Sequence, residues 1–158
     1  MSIKNIKPTY KSGYHQSYFK PNRESAYVGS YPIICRSGLE KKFCIYLDNN
    51  EGIVKWSSEP IAIKYISKWD NKQHTYYPDF VFENYKGDKV IVEVKSSHQL
   101  KKPKEPKKRT KKSIENYKNS LKMYVTNVSK VQAVRKYAEA GGYKFILITE
   151  KELKKLAL

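Results

Sequence analysis

Cysteine is scarce in these 158 residues: there are two, Cys35 and Cys44, with no C-x-x-C pairing and no histidine at zinc-finger spacing. A disulfide framework and a structural zinc site are therefore not expected. With no signal peptide in view, both thiols read as reduced, in a cytosolic protein. Histidine is equally sparse, and His15, His74 and His98 share no ligand spacing. Long apolar runs are missing too. None approaches the roughly 18 residues that a membrane span needs, so the chain is expected to be soluble with no membrane partner. Acidic residues are the last shortage. Asp and Glu number 15 against 32 Lys and Arg, a formal net charge of +17. Self-repulsion on that scale is usually met by a polyanion, which makes nucleic acid the expected partner. Charge alone does not separate an enzyme from a packaging protein.

What is present fits one domain of α/β class. The chain is 39% apolar and carries 14 tyrosines and five phenylalanines. Residues 1–30 are basic, tyrosine-rich and aperiodic, an expected irregular arm that lies on nucleic acid, on its own domain or on a partner. Residues 31–158 form the expected domain. Ser37 and Glu40 have capping-box spacing, and Leu39, Phe43, Tyr46 and Leu47 follow at helical period. Strands are expected at 53–56, 61–66, 75–82 and 89–95, with a hairpin turn at Asn84–Asp88. From Gln99 to Lys112 the composition turns to Lys, Arg and Pro, which cannot make a core element and reads as a basic flap. Beyond it, a helix capped by Ser113 and running to Lys122, a second over 129–140 that stops at Gly141-Gly142, a strand at 145–148 and a terminal helix boxed by Thr149 and Glu152 are expected. The order is α-β-β-β-α-β with a mixed central sheet flanked by helices.

The chemistry concentrates at the end of the 89–95 strand. Alternation places Val90, Val92 and Val94 on one face and Ile91, Glu93 and Lys95 on the other. Both faces are apolar up to Glu93, as in a strand buried on two sides. A carboxylate there is costly without compensation, and a divalent cation would supply it. Pro78-Asp79 interrupts the preceding strand, where proline demands an edge, bend or bulge. The short hairpin then brings Asp79 beside Glu93, two hard oxygen donors of the kind Mg²⁺ prefers. The backbone carbonyl near Val94 is an expected further ligand. Glu40 aligns with Cys44 and Leu47 on its helix and borders the buried face; it serves as a cap, as a third acid of the site, or as both. Lys95 either helps deprotonate the attacking water or stabilises the phosphate oxygens. The bland alternative is an ordinary hairpin with a Glu93–Lys95 salt bridge.

The stretches CRSGLEKKFCIYLDNN, WSSEPIAIKYISKWDNKQHTYYPDFVF and VIVEVKSS, with the later basic flap and the YKFILITEKEL ending, resemble the head completion nucleases of T-even-type tailed bacteriophages. The likeness spans roughly residues 13–153. The chain is also similar to the N-terminal nuclease domain of TnsA-type transposon endonucleases, which share a helical Glu, PD and E-x-K. The resemblance implies a restriction-endonuclease-like core of the PD-(D/E)xK type with Glu40, Asp79, Glu93 and Lys95 at the matching active-site positions. It also implies an Mg²⁺-dependent DNA endonuclease, with Mn²⁺ able to substitute. The implied setting is phage head completion after packaging, in the host cytoplasm or on the virion, beside head and neck proteins of the portal region.

Lys101, Lys102, Lys104, Lys107, Lys108, Arg109, Lys111 and Lys112 of the flap follow the Glu93–Lys95 strand and are placed to grip flanking phosphates; the bland reading is a solvated loop. Lys130 is a further candidate DNA contact. A homodimer would suit double-strand cleavage. The main rival to an enzyme is a non-catalytic DNA-end-binding head-closure protein on the same fold, whose sequence should have lost a carboxylate or the lysine. None is lost here.

Overall fold

The computed structural model describes residues 16–156. These form β1 (Ser17–Phe19), a 3-10 turn (Glu24–Ala26), β2 (Ile33–Cys35), α1 (Gly38–Asn49), β3 (Ile53–Ser58), β4 (Ile63–Ile66), β5 (Gln73–Tyr76), β6 (Phe80–Asn84) and β7 (Lys89–Val94). A second 3-10 turn (Ser97–Leu100), α2 (Lys111–Gly141), β8 (Lys144–Ile148) and α3 (Glu150–Leu156) complete the order. The central sheet runs β3-β6-β7-β8, antiparallel through β7 and then parallel to β8. Parallel neighbours need a long crossover, and α2 supplies it. The result is the expected α/β arrangement, a mixed sheet flanked by helices.

The alternation of β7 sorts the layers. Val90, Val92 and Val94 pack with Phe43, Cys44 and Leu47 of α1 and Leu153 of α3. Ile91 faces the other way, into a cluster with Val134 and Ala138 of α2 and Ile63, Tyr65 and Tyr76 of the β4–β5 hairpin. Every residue from Val90 to Val94 is buried, as a two-sided strand requires. Full burial of a side chain such as Phe43 or Val92 stabilises by about 1.5–3 kcal/mol. The two thiols are free and buried, with sulfurs 3.5 Å apart.

Three expectations are corrected. The single strand at 75–82 is two strands. Proline at 78 cannot donate to a ladder, and there the chain leaves the β4–β5 hairpin and enters the central sheet as β6. The two helices at 113–122 and 129–140 are one helix of 31 residues. The β-branched residues near Val125 and Thr126 weaken helix propensity, but packing against the hairpin and β8 outweighs them. Its cap is Thr110: Thr110 Oγ1 accepts from Ser113 N at 3.1 Å, and Ser113 Oγ accepts from Thr110 N at 2.9 Å. Ser113 thus completes a capping box instead of starting the helix. Gly142, at φ 74°, ends it in the left-handed conformation that glycine adopts freely. Gln99 and Leu100 of the flap belong to the second 3-10 turn, and Lys111 and Lys112 to the first turn of α2.

The third concerns the arm. Residues 1–15 lie outside the described residues. From 16 to 30 the chain includes β1 and the first 3-10 turn, and Ala26 and Tyr27 are buried in the domain core. Asp48, at the end of α1, fastens this segment by accepting from Asn22 N at 2.8 Å and Arg23 N at 3.0 Å. The Arg23 guanidinium in turn donates to the carbonyls of Asn50 and Ile53. These bonds compensate the burial of the Asp48 carboxylate.

Candidate active site

The Tyr77-Pro78-Asp79 bend sets the geometry. Antiparallel pairing of Phe80 with Val92 puts Asp79, one residue before β6, level with Glu93. The Asp79 carboxylate turns onto β7 itself, where Oδ2 accepts the Val94 N–H at 2.8 Å. Its backbone carbonyl accepts from Glu59 N at 3.0 Å, and Glu59 takes a left-handed φ of 49° to make that contact. Glu93 is 4% exposed. Oε1 lies 3.1 Å from Lys95 Nζ, and Oε2 accepts a hydrogen bond from the Tyr76 hydroxyl. The Lys95 backbone N–H is held by Ile148 O at 2.9 Å, so β8 fixes the strand end that presents the lysine.

Glu40 comes from the first turn of α1. Its backbone N–H donates to the N-cap Ser37 Oγ at 3.1 Å, and its carboxylate accepts from Arg36 N at 2.8 Å. Ser37 thus caps the helix, while the Glu40 carboxylate bonds back to Arg36 and not to the Ser37 N–H that a full capping box would use; its charge still acts on Asp79. Burial holds the Glu40 carboxyl above its usual range, partly offset by Arg36.

The charges of Glu93 and Glu40 both act on Asp79. Asp79 is pushed well above the ordinary carboxylate range, first by burial, then by the charges of Glu93 and Glu40; the Val94 N–H and Lys95 pull the other way. Burial pulls Lys95 down, but Glu93, Asp79 and Glu40 together exceed it and raise it. Such excess negative charge in a desolvated site is what a cation relieves. Asp79 Oδ1 has no hydrogen bond among the described residues, and two opposed carboxylates suit Mg²⁺, which binds through one or two carboxylates and retains waters. No group of three or more His, Cys, Asp or Glu is gathered as a metal cage among the described residues.

The flap residues Lys101, Lys102, Lys104, Lys107, Lys108 and Arg109 are all exposed, and so are Lys111 and Lys112 on α2. Lys130 differs: it is half-buried, with Nζ 5.3 Å above the Tyr76 ring. Sequence reasoning missed Tyr76 and Glu59. On sequence the compensation of buried Glu93 fell to a cation, and taking 75–82 as one strand hid the hairpin that delivers the Tyr76 hydroxyl. Nothing local marks Glu59, which pairs with Arg36, the residue whose backbone N–H donates to the Glu40 carboxylate.

A helical Glu, an Asp at a strand entrance and an E-x-K strand, set on a mixed sheet between helices, define a nuclease domain of the restriction-endonuclease-like class. The chain belongs to the TnsA-like endonuclease N-terminal family, whose model matches residues 50–150. It is also similar to the head completion nuclease of Enterobacteria phage T4, with 30% identity over 137 residues that cover 86% of this chain and 91% of that protein. The family match includes Asp79, Glu93 and Lys95; the second likeness extends over most of the domain.

Proposed function

We propose that this nuclease is a metal-dependent DNA endonuclease that acts on DNA during completion of filled phage heads. The observation that carries the chemistry is the pairing of Asp79 with Glu93 at one strand end, with Lys95 Nζ 3.1 Å from Glu93. In this reading Asp79 and Glu93, with the Val94 carbonyl, hold Mg²⁺ or Mn²⁺, and Glu40 supports the same site from α1. The bound ion supplies charge that acidifies a water and offsets negative charge on the phosphate. Lys95, kept protonated by its acidic neighbours, faces the phosphate oxygens and stabilises the charge that grows as water attacks phosphorus and the P–O bond to the leaving sugar breaks. Tyr76 keeps the Glu93 carboxylate oriented. The flap lysines and Arg109 grip flanking phosphates, and the +17 charge draws the domain to DNA.

The phage setting rests on the likeness to a head completion nuclease over 91% of that protein's length. Head and neck proteins of the portal region are the proposed partners, in the host cytoplasm or on the virion, with a homodimer where both strands are cut. Incubation with supercoiled and linear DNA in Mg²⁺, Mn²⁺ and EDTA tests the reading: cutting in both metals and none in EDTA is expected. Equal cutting in EDTA, or none in any condition, would contradict it.

A further inference from the structure

Lys130 sits apart from the other lysines. It projects from the middle of α2, the longest rigid element, and the preceding residue pins that helix: Ser129 Oγ accepts from Lys68 N at 3.1 Å. Lys130 Nζ lies 5.3 Å above the ring of Tyr76, the residue whose hydroxyl is bonded to Glu93. It has no ion-pair partner among the described residues, although Glu93, Asp79 and Lys95 all act on it electrostatically. Burial and Lys95 lower its proton affinity, and the two carboxylates oppose that. The aromatic face offsets only part of the desolvation of this half-buried ammonium, which has no carboxylate partner of its own among the described residues.

Charge shows what it is for. Glu40, Asp79 and Glu93 bring three negative charges, which one divalent ion and Lys95 neutralise. A phosphodiester then adds one negative charge, and attack by hydroxide adds another. Flap lysines sit on an exposed loop and are not built to meet charge at a fixed point.

We propose that Lys130, seated on Tyr76, is a second lysine of the active site that contacts an oxygen of the phosphodiester undergoing cleavage. This rests on the nuclease reading above. It assigns Lys130 to the reacting phosphate, not to general DNA grip. The two roles differ in what they change. A lysine on the reacting phosphate acts on the cleavage step, whereas a grip lysine acts on affinity and its salt slope.

The test compares wild type, Lys130→Met, Lys130→Gln, Lys130→Arg and a Lys107→Met flap control. Single-turnover cleavage of a duplex oligonucleotide at saturating enzyme is read beside affinity for the same duplex in EDTA, with thermal melting as a check of folding. The expected result is a cleavage rate about 10²-fold lower for Lys130→Met and Lys130→Gln, of the size seen on removing one charge-stabilising donor. Affinity in EDTA should change less than threefold, and Lys130→Arg should recover part of the rate. Methionine keeps the stem, and glutamine gives the same readout should the methionine variant melt early. A wild-type rate in both neutral variants overturns the proposal while leaving the nuclease reading intact. So does a loss confined to affinity and matched by Lys107→Met. Failure of wild type itself to cut in Mg²⁺ overturns both.

Discussion

The Asp79 carboxylate accepts the backbone N–H of Val94 at 2.8 Å, which ties the bend entering β6 to the strand that carries Glu93 and Lys95. The same bond places two carboxylates at one strand end, and the fold bears their repulsion. Asp79 is raised by burial and by Glu93 and Glu40. A carboxyl raised in the folded state stabilises the fold fully below its unfolded value, near about pH 4, and that contribution is lost as pH rises through the folded value. Metal-free wild type should therefore lose stability on going from acid to neutral pH at this site, and Asp79→Asn should not. Thermal melts in EDTA at neutral pH are expected to show Asp79→Asn above wild type, each 1 kcal/mol appearing as roughly 2–4 °C. With Mg²⁺ added, wild type should gain and the variant should gain less.

Tyr76→Phe removes the hydroxyl that donates to Glu93 and keeps the ring under Lys130. Loss of a hydrogen bond to a buried charged group costs about 1.5–3 kcal/mol. The variant should melt lower in EDTA and need more Mg²⁺ for half-maximal cleavage. Unchanged melting and an unchanged metal requirement would show that the hydroxyl does not hold Glu93 in solution.

The flap predicts a salt signature. If Lys101, Lys102, Lys104, Lys107, Lys108 and Arg109 meet phosphates, DNA affinity falls steeply with salt. Each neutralised residue should then flatten the log–log slope by about one unit. Binding titrations over a salt series check this. An unchanged slope in a multiply substituted flap would make it a solvated loop.

Acid stability has a local reporter away from the site. Glu150 accepts from Ser97 N at 2.8 Å and from Ser97 Oγ, and these bonds hold its carboxyl down to about 2. Because the folded value is depressed, the contribution is present above the unfolded value of about 4.3 and is lost as pH falls through the folded one. The melting difference between wild type and Glu150→Gln should shrink as pH drops from neutral into that window. A constant difference would assign the effect to shape and not to charge.

The parts of the site legible in the sequence were those set by local rules. Strand alternation put Glu93 and Lys95 on one face. The proline marked the bend at Asp79, and the spacing from Ser37 marked the cap at Glu40, all without knowledge of tertiary contacts. Burial of β7 on both faces followed from its valines. What stayed hidden depended on packing between distant segments. Tyr76 reaches Glu93 only because β5 belongs to a separate hairpin. Lys130 meets the Tyr76 ring only because the β4–β5 hairpin packs against α2. Tyr27 is buried against Trp56, a contact between distant segments that no periodicity encodes.

The most direct test of the account is cleavage by wild type, Asp79→Ala and Lys95→Ala in Mg²⁺, with DNA binding measured in parallel. The account predicts cutting by wild type, loss of at least about 10²-fold in each variant, and binding retained in all three. Binding without cutting, the same for all three proteins, would contradict it and leave a DNA-end-binding protein built on a nuclease fold.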